Sequence, residues 1–153
     1  MTGLAASAQK SIQILEIAKE IEIAASIDIV YESLLEQLGP LSETPDGELL
    51  SMTLEAWPGG RLYRDLGGNA GWCWGHVQVI EPPARLEIWG PHFMQYPAVA
   101  HFQYLLSESN GATVLKFNYR VIGLIEDADR VNVGRCEFMQ RVRKMAESRS
   151  GAR

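Results

Sequence analysis

The chain has 153 residues, of which 46% are hydrophobic and 22% charged, with a formal net charge of −5. That length fills one hydrophobic core and falls short of two ordinary domains, and the balance of residue types excludes a disordered or solvating chain. The negative balance also argues against a generic binder of nucleic-acid phosphates, which needs clustered Lys and Arg.

The N-terminal stretch MTGLAASAQKSIQ has neither a basic start nor a continuous apolar run. Nowhere does an apolar run approach the ~18 residues of a membrane span. Residues 1–13 are expected to be flexible, 14–148 to form a single domain and 149–153 to be flexible again. Leu15 to Ala24 alternates, with Leu15, Ile17, Ile21 and Ile23 on one side and Glu16, Glu20 and Glu22 on the other, the period of a strand. Ser26 then caps a helix in which Ile27, Val30, Tyr31, Leu34, Leu35 and Leu38 recur at spacings of three and four, ending at Gly39-Pro40. A helix with one apolar face must lie on something apolar, and the sheet entered by its own preceding strand is the nearest candidate.

After a polar loop from Leu41 to Gly47, residues Leu49 to Trp57 alternate as a second strand. Pro58-Gly59-Gly60 turns the chain into a strand from Arg61 to Leu66, and Gly67-Gly68-Asn69 turns it again. Trp72 to Ile80 and Arg85 to Trp89 form two further strands, separated by Pro82 and Pro83, which cannot donate ladder hydrogen bonds. The loop GPHFMQYP leads to Ala98–Ser107, Asn110-Gly111 supplies a hairpin turn, and Thr113–Ile122 returns with Leu115, Phe117, Tyr119 and Val121 on one face. Glu126, Asp127 and Asp129 favour a helix start, after which Val131, Gly134, Phe138, Val142 and Met145 keep helical spacing over ~20 residues, or about 30 Å. Gly134 costs about 1 kcal/mol inside a helix relative to Ala, and so marks close backbone approach or room left for something else. Arg141, Arg143, Lys144, Arg149 and Arg153 fall at the end of this helix, where they offset its negative dipole end.

Several short patterns run through these elements: Ile21-Glu22-Ile23 with Ser26 and Val30-Tyr31, then Pro58-Gly59-Gly60-Arg61, and above all Gly75-x-Val77 followed by Ile80-Glu81-Pro82-Pro83-x-Arg85-Leu86. Trp89, Asn110-Gly111 and Thr113 continue them. In this β-α-β6-α order the chain resembles the START-like, or SRPBCC, superfamily over most of its length. Within it the chain is most similar to the branch typified by the C-terminal domain of the heat-shock-protein-90 ATPase activator. The resemblance implies an α+β helix-grip fold, a curved antiparallel sheet of about seven strands wrapped around a long C-terminal helix. It also implies a cavity between sheet and helix, which in relatives holds lipids, hormones, polyketides or other apolar molecules. Trp72-Cys73-Trp74 departs from the branch, whose sequences are more varied and charged before the Gly-x-Val, and adds aromatic bulk there.

Trp72, Trp74, Tyr104, Phe117, Tyr119 and Phe138 are candidates to line an apolar pocket, with hydroxyls and indole nitrogens fixing a ligand's polar end; plain core packing explains most of them equally well. On a regular strand Trp72, Trp74 and His76 share one side, while Gly71, Cys73, Gly75, Val77 and Val79 share the other. If the small residues face the helix they leave volume for a ligand, and if the tryptophans do they fill it. The alternation alone assigns neither side to the interior.

Cys73 and His76 have a Cys-x-x-His spacing, but positions three apart on a regular strand point to opposite faces, so no metal site is expected. His92 and His101 lie in a loop and on a separate strand. Among the acid–base candidates His76, His101, Glu55, Asp65, Glu87 and Arg120, solvated sheet surface is the better reading, and none is assigned as catalytic. His76 joins the ligand-binding candidates if its side faces the pocket. Cys73 lacks a local basic neighbour to activate it. No Gly-x-Ser-x-Gly elbow, phosphate loop or dinucleotide fingerprint occurs, and no cofactor is expected.

Cys73 and Cys136 lack the spacing of a disulfide scaffold and read as reduced thiols, in keeping with a soluble cytoplasmic protein that engages neither membrane nor nucleic acid. Three functions compete. The first is non-enzymatic binding of a hydrophobic, lipid- or polyketide-like small molecule between sheet and C-terminal helix. The second, implied by the resemblance, is a chaperone-associated interaction module of the activator type. The third is a polyketide cyclase-like or hydrolase-like enzyme using His76, Tyr104 or Arg120. A homodimer would cover a partly apolar outer sheet face.

Overall fold

In a computed structural model describing residues 11–44, 46–126 and 128–152, the elements run β1 (Gln13–Ile23), α1 (Ile27–Leu38), β2 (Thr53–Leu54), β3 (Arg61–Gly67), β4 (Ala70–Glu81), β5 (Arg85–Gly90), β6 (Ala98–Ser109), β7 (Ala112–Gly123) and α2 (Ala128–Ala152). The seven strands form one antiparallel sheet in the order β1-β7-β6-β5-β4-β3-β2. The first strand therefore lies beside the last, and both helices pack on the apolar face of the sheet. This is the α+β helix-grip architecture that the resemblance implies.

The pairing follows from side-chain alternation. In β6 and β7, Ala100, Phe102, Tyr104 and Leu106 oppose Val121, Tyr119, Phe117 and Leu115, and all eight are buried. Leu86 and Ile88 of β5 and Ile17 and Ile23 of β1 extend this face. Ser26 occupies the N-cap of α1 without a side-chain cap bond, and the helix stops at Gly39, whose N–H donates to Leu35 and Glu36 carbonyls. Val30, Leu34 and Leu38 carry its buried face. At ~1.5 Å per residue α2 is about 37 Å long, enough to cross the sheet.

Three expectations change. The strand read over Leu49–Trp57 shrinks to Thr53–Leu54, because Ser51 adopts a left-handed φ of 48° and the segment before it bonds to the loop after α1. There the Leu50 N–H donates to Ser42 and the Met52 N–H to Gly39. The regular elements also run past the expected bounds of 14 and 148. Gln13 already belongs to β1, and α2 continues to Ala152, held by an ion pair from Arg149 to Glu36 of α1. Residues 1–10, Pro45, Asp127 and Arg153 lie outside the described residues. Among the described residues, no helix is long and apolar enough to cross a membrane.

The third change is in β4, where the regular alternation fails twice. Leu62 faces Gly75 but Tyr63 faces Cys73, leaving Trp74 as an extra residue; Val77 faces Ile88 but Val79 faces Glu87, leaving Gln78 extra. Each bulge exchanges the two faces of the strand beyond it. Cys73 and His76 consequently sit opposite Tyr63 and Arg61, two positions on one face of β3, where a regular strand would have separated them.

Candidate functional site

The structure gathers Trp74, Tyr104, Phe117, Tyr119 and Phe138 in the interior beneath α2. Tyr104 stacks on Phe117 with ring centroids 4.9 Å apart and lies 6.1 Å from Phe138, while Phe117 stacks on Tyr119 at 5.9 Å. Trp72 is on the margin, 44% exposed and stacked flat on Trp74 at 5.3 Å. His76 is on the other face of the sheet, against exposed Trp89 at 5.9 Å. The bulge at Trp74 is the reason. It keeps Trp74 inward while turning His76 out.

Gly75 is buried on the inner face, yet it leaves no volume for a ligand. A Cβ there would come within 2.8 Å of the Trp89 carbonyl oxygen and 2.9 Å of Ile88 Cγ2, and one on Gly90 within 2.5 Å of the Gly75 Cα. The two glycines instead let β4 and β5 approach closely. This approach brings the following loop back onto β4, where the His92 N–H donates to the Trp74 carbonyl at 2.9 Å.

That loop contributes residues that no periodic pattern singles out. His92 and Phe93 both take left-handed backbone conformations, with φ of 42° and 61°. Such conformations cost ~1–3 kcal/mol each in non-glycine residues and persist only where surrounding structure enforces them. His92 is 2% exposed, and its ring meets Phe93 and Phe102 edge-on. Phe93 lies 4.8 Å from Trp74. From α2, the Arg135 guanidinium carbon lies 5.4 Å from the ring centres of Phe102 and Tyr119 and 5.9 Å from that of Phe93.

Among the described residues, the polar atoms of this region lack protein partners. Both ring nitrogens of His92, the hydroxyls of Tyr96, Tyr104 and Tyr119, the Trp74 indole nitrogen and Arg135 Nε are all buried without a hydrogen bond. Each such group costs ~1–3 kcal/mol relative to a satisfied one, so a cluster of them calls for an explanation. Burial, helped by the Arg135 charge, pushes the His92 imidazole well below its ordinary range and keeps it neutral. Burial raises the Tyr119 phenol to about 12 and raises Tyr104 as well, both partly opposed by Arg135. The site therefore holds one cation, a neutral imidazole and two neutral phenols inside an aromatic shell.

The acid–base candidates lie elsewhere. On the outer face, Glu87 accepts from His101 Nε2 at 2.8 Å, from Gln103 at 3.4 Å and from Arg85. Burial alone would raise the Glu87 carboxyl, but these bonds outweigh it and hold it below the usual range. Arg120 pairs with Glu16 at 3.6 Å on the same face, and Glu55 is held by Arg61 at 2.8 Å. His76 and Arg120 are thus separated from Tyr104 by the sheet, and the three cannot act on one substrate. Among the described residues no three His, Cys, Asp or Glu side chains converge.

No protein-family model and no curated protein matches the chain. Solved structures do. An uncharacterized protein from Rhizobium leguminosarum superposes with a TM-score of 0.68 at 14% identity, covering 92% of this chain and 99% of that one. Ara h 8.0201 gives 0.64 at 11% identity over 92% and 100%. The Aha1 dimer from Colwellia psychrerythraea gives 0.59 at 16% identity over 87% and 96%. The chain has the START-like (SRPBCC), Bet v 1-like helix-grip fold, and at these identities the likeness is one of fold.

Proposed function

We propose that the protein binds a hydrophobic small molecule, without transforming it, between the sheet and the first half of α2. The observation that carries this reading is the set of buried, unpartnered polar atoms on His92, Tyr104 and Tyr119 inside an aromatic shell. An apolar ligand with a few polar groups would bury its body at ~25 cal/mol per Å² and satisfy those atoms. A lipid- or polyketide-like molecule has that character. His92 is neutral and has no carboxylate partner among the described residues, which favours binding over acid–base chemistry.

Native mass spectrometry before and after mild organic extraction tests this. A co-purifying mass lost on extraction is the expected result. A clean protein mass, with no thermal shift across a panel of lipids and polyketides, overturns it.

A second reading has its support on the outer face, where exposed Ile14, Trp89, Val99 and Ile122 surround a groove of about 380 Å³. The occupant would be a second copy of this chain, because Glu16 and Arg120 give the patch both signs of charge and so make it self-complementary across a two-fold axis. Light scattering over a dilution series would detect the dimer, and Ile122→Lys would abolish it. A monomer at every concentration removes this reading. No feature among the described residues singles out a chaperone partner.

A further inference from the structure

Arg135 is a feature of the interior that an apolar ligand leaves unexplained, set apart from Arg141 and Arg143, whose Nε atoms are also buried and unpartnered, by the rings around it. Its Nε is buried and unpartnered, three aromatic rings surround its guanidinium, and no carboxylate pairs with it among the described residues. A partly desolvated cation without a counter-charge is costly, and a planar guanidinium is shaped to hold a carboxylate through two parallel hydrogen bonds. The hydroxyls of Tyr104 and Tyr119 complete the picture. Both are buried and unpartnered, and as neutral phenols each has a proton to donate.

We infer that the ligand is an aromatic carboxylate, its acid group held by Arg135 with the Tyr119 and Tyr104 hydroxyls as further donors and its rings packed among Trp74, Phe93 and Phe102. This rests on the interior-binding reading and adds the charge of the ligand to it. His92 does not compete for the role of anion holder, because burial and the Arg135 charge keep it neutral. The distribution of rings supports an aromatic body. Trp74 and Phe93 lie 4.8 Å apart and Phe102 and Tyr119 4.6 Å apart, so flat faces and edges, which pack well on other rings, flank the cation.

The test is calorimetric titration of the full chain, after organic extraction, with benzoate, 2-naphthoate and 2-anthroate, each paired with its uncharged amide. The expected result is a preference of about tenfold or more for acid over amide, since a charge-assisted contact is worth at least the ~1.4 kcal/mol that a tenfold ratio represents. Arg135→Gln should bring the ratio to about one by weakening the acids alone, while Arg135→Lys keeps part of it. Tyr119→Phe should weaken the acids severalfold and leave the amides unchanged.

If acids and amides bind the wild-type chain equally, the charge assignment falls and the interior-binding reading stands. If no compound of either series binds, the inference falls, and native mass spectrometry with the lipid and polyketide panel decides the interior-binding reading separately. A preference that survives Arg135→Gln also overturns the inference. Should that variant fail to fold, the ratio measured on the wild-type chain still decides.

Discussion

The two halves of α2 lie against one interior and meet it differently. From Phe138 to Arg149 the helix buries Phe138, Met139, Val142 and Ala146, and three of its side chains find partners on other elements, while Arg141 Nε and Arg143 Nε have none among the described residues. Glu147 accepts from the Ala24 N–H at 3.1 Å, Arg149 pairs with Glu36, and Met145 accepts from Gln37. Around Arg135 the neighbours are aromatic rings whose polar atoms have no partner, and the loop facing them is held in left-handed conformations. Gly134 belongs to this first half of α2, and a Cβ there would meet nothing within 4 Å. The glycine therefore does not mark close backbone approach. One end of the grip is tied to α1 and β1 by cross-element bonds, and the other faces a cluster of unpartnered ring nitrogens and hydroxyls, the division expected where a binding site is set into a packed core.

The largest effect that would sharpen this contrast is in the closed half. Met139→Ala should cost ~2–5 kcal/mol in urea unfolding, the ordinary penalty for truncating a fully buried side chain. A loss well below that range would mean the second half of α2 is as loose as the first.

Next in size is a pH effect from the open half. His92 titrates lower in the folded chain than in the unfolded one, so the unfolded state binds the extra proton as pH falls below ~6.5. The contribution of neutral His92 is complete above that pH and is lost below it, at up to ~1.4 kcal/mol per pH unit until the folded-state value is reached. Thermal melts between neutral pH and about pH 5 should slope accordingly for the wild-type chain, and His92→Gln should flatten the slope. Equal slopes for both chains would place His92 in contact with water.

Smaller and of opposite sign is Gly134→Ala. With space beside it and a helical backbone, the substitution should raise stability by ~1 kcal/mol. A loss would mean that the first half of α2 packs more tightly than the structure has it. Smallest of all is Tyr119→Phe, which removes a buried hydroxyl that has no partner. The ligand-free chain should unfold within ~0.5 kcal/mol of wild type or slightly later, because no hydrogen bond is lost. A substantial loss would show that the hydroxyl is satisfied in the ligand-free protein.

Much of the interior is legible in the sequence. Tyr104, Phe117 and Tyr119 lie inward because β6 and β7 are regular, and Phe138 because α2 keeps its helical period. Trp72 and His76 are not legible in the same way. Their positions depend on the bulge at Trp74, where β4 carries one residue more than β3, and which has no signature in alternation. His92 and Phe93 stand in a loop between two prolines, where no period exists to assign a face. Three aromatic-ring residues and a methionine in that short loop are the available signal, since a loop exposed to water has little use for them.

Periods and turns are local properties of the chain, each depending on neighbours only a few residues away. They are enough to dictate the succession of strands and helices along the chain, while the helix-grip arrangement of those elements comes from the resemblance. Which face of β4 is inner, where His92 turns, and that Arg135 of α2 meets Tyr119 of β7 and Phe102 of β6 are settled by packing alone. Those are contacts between elements distant in the chain. They depend on register and close approach, which local patterns leave open and only the assembled fold resolves.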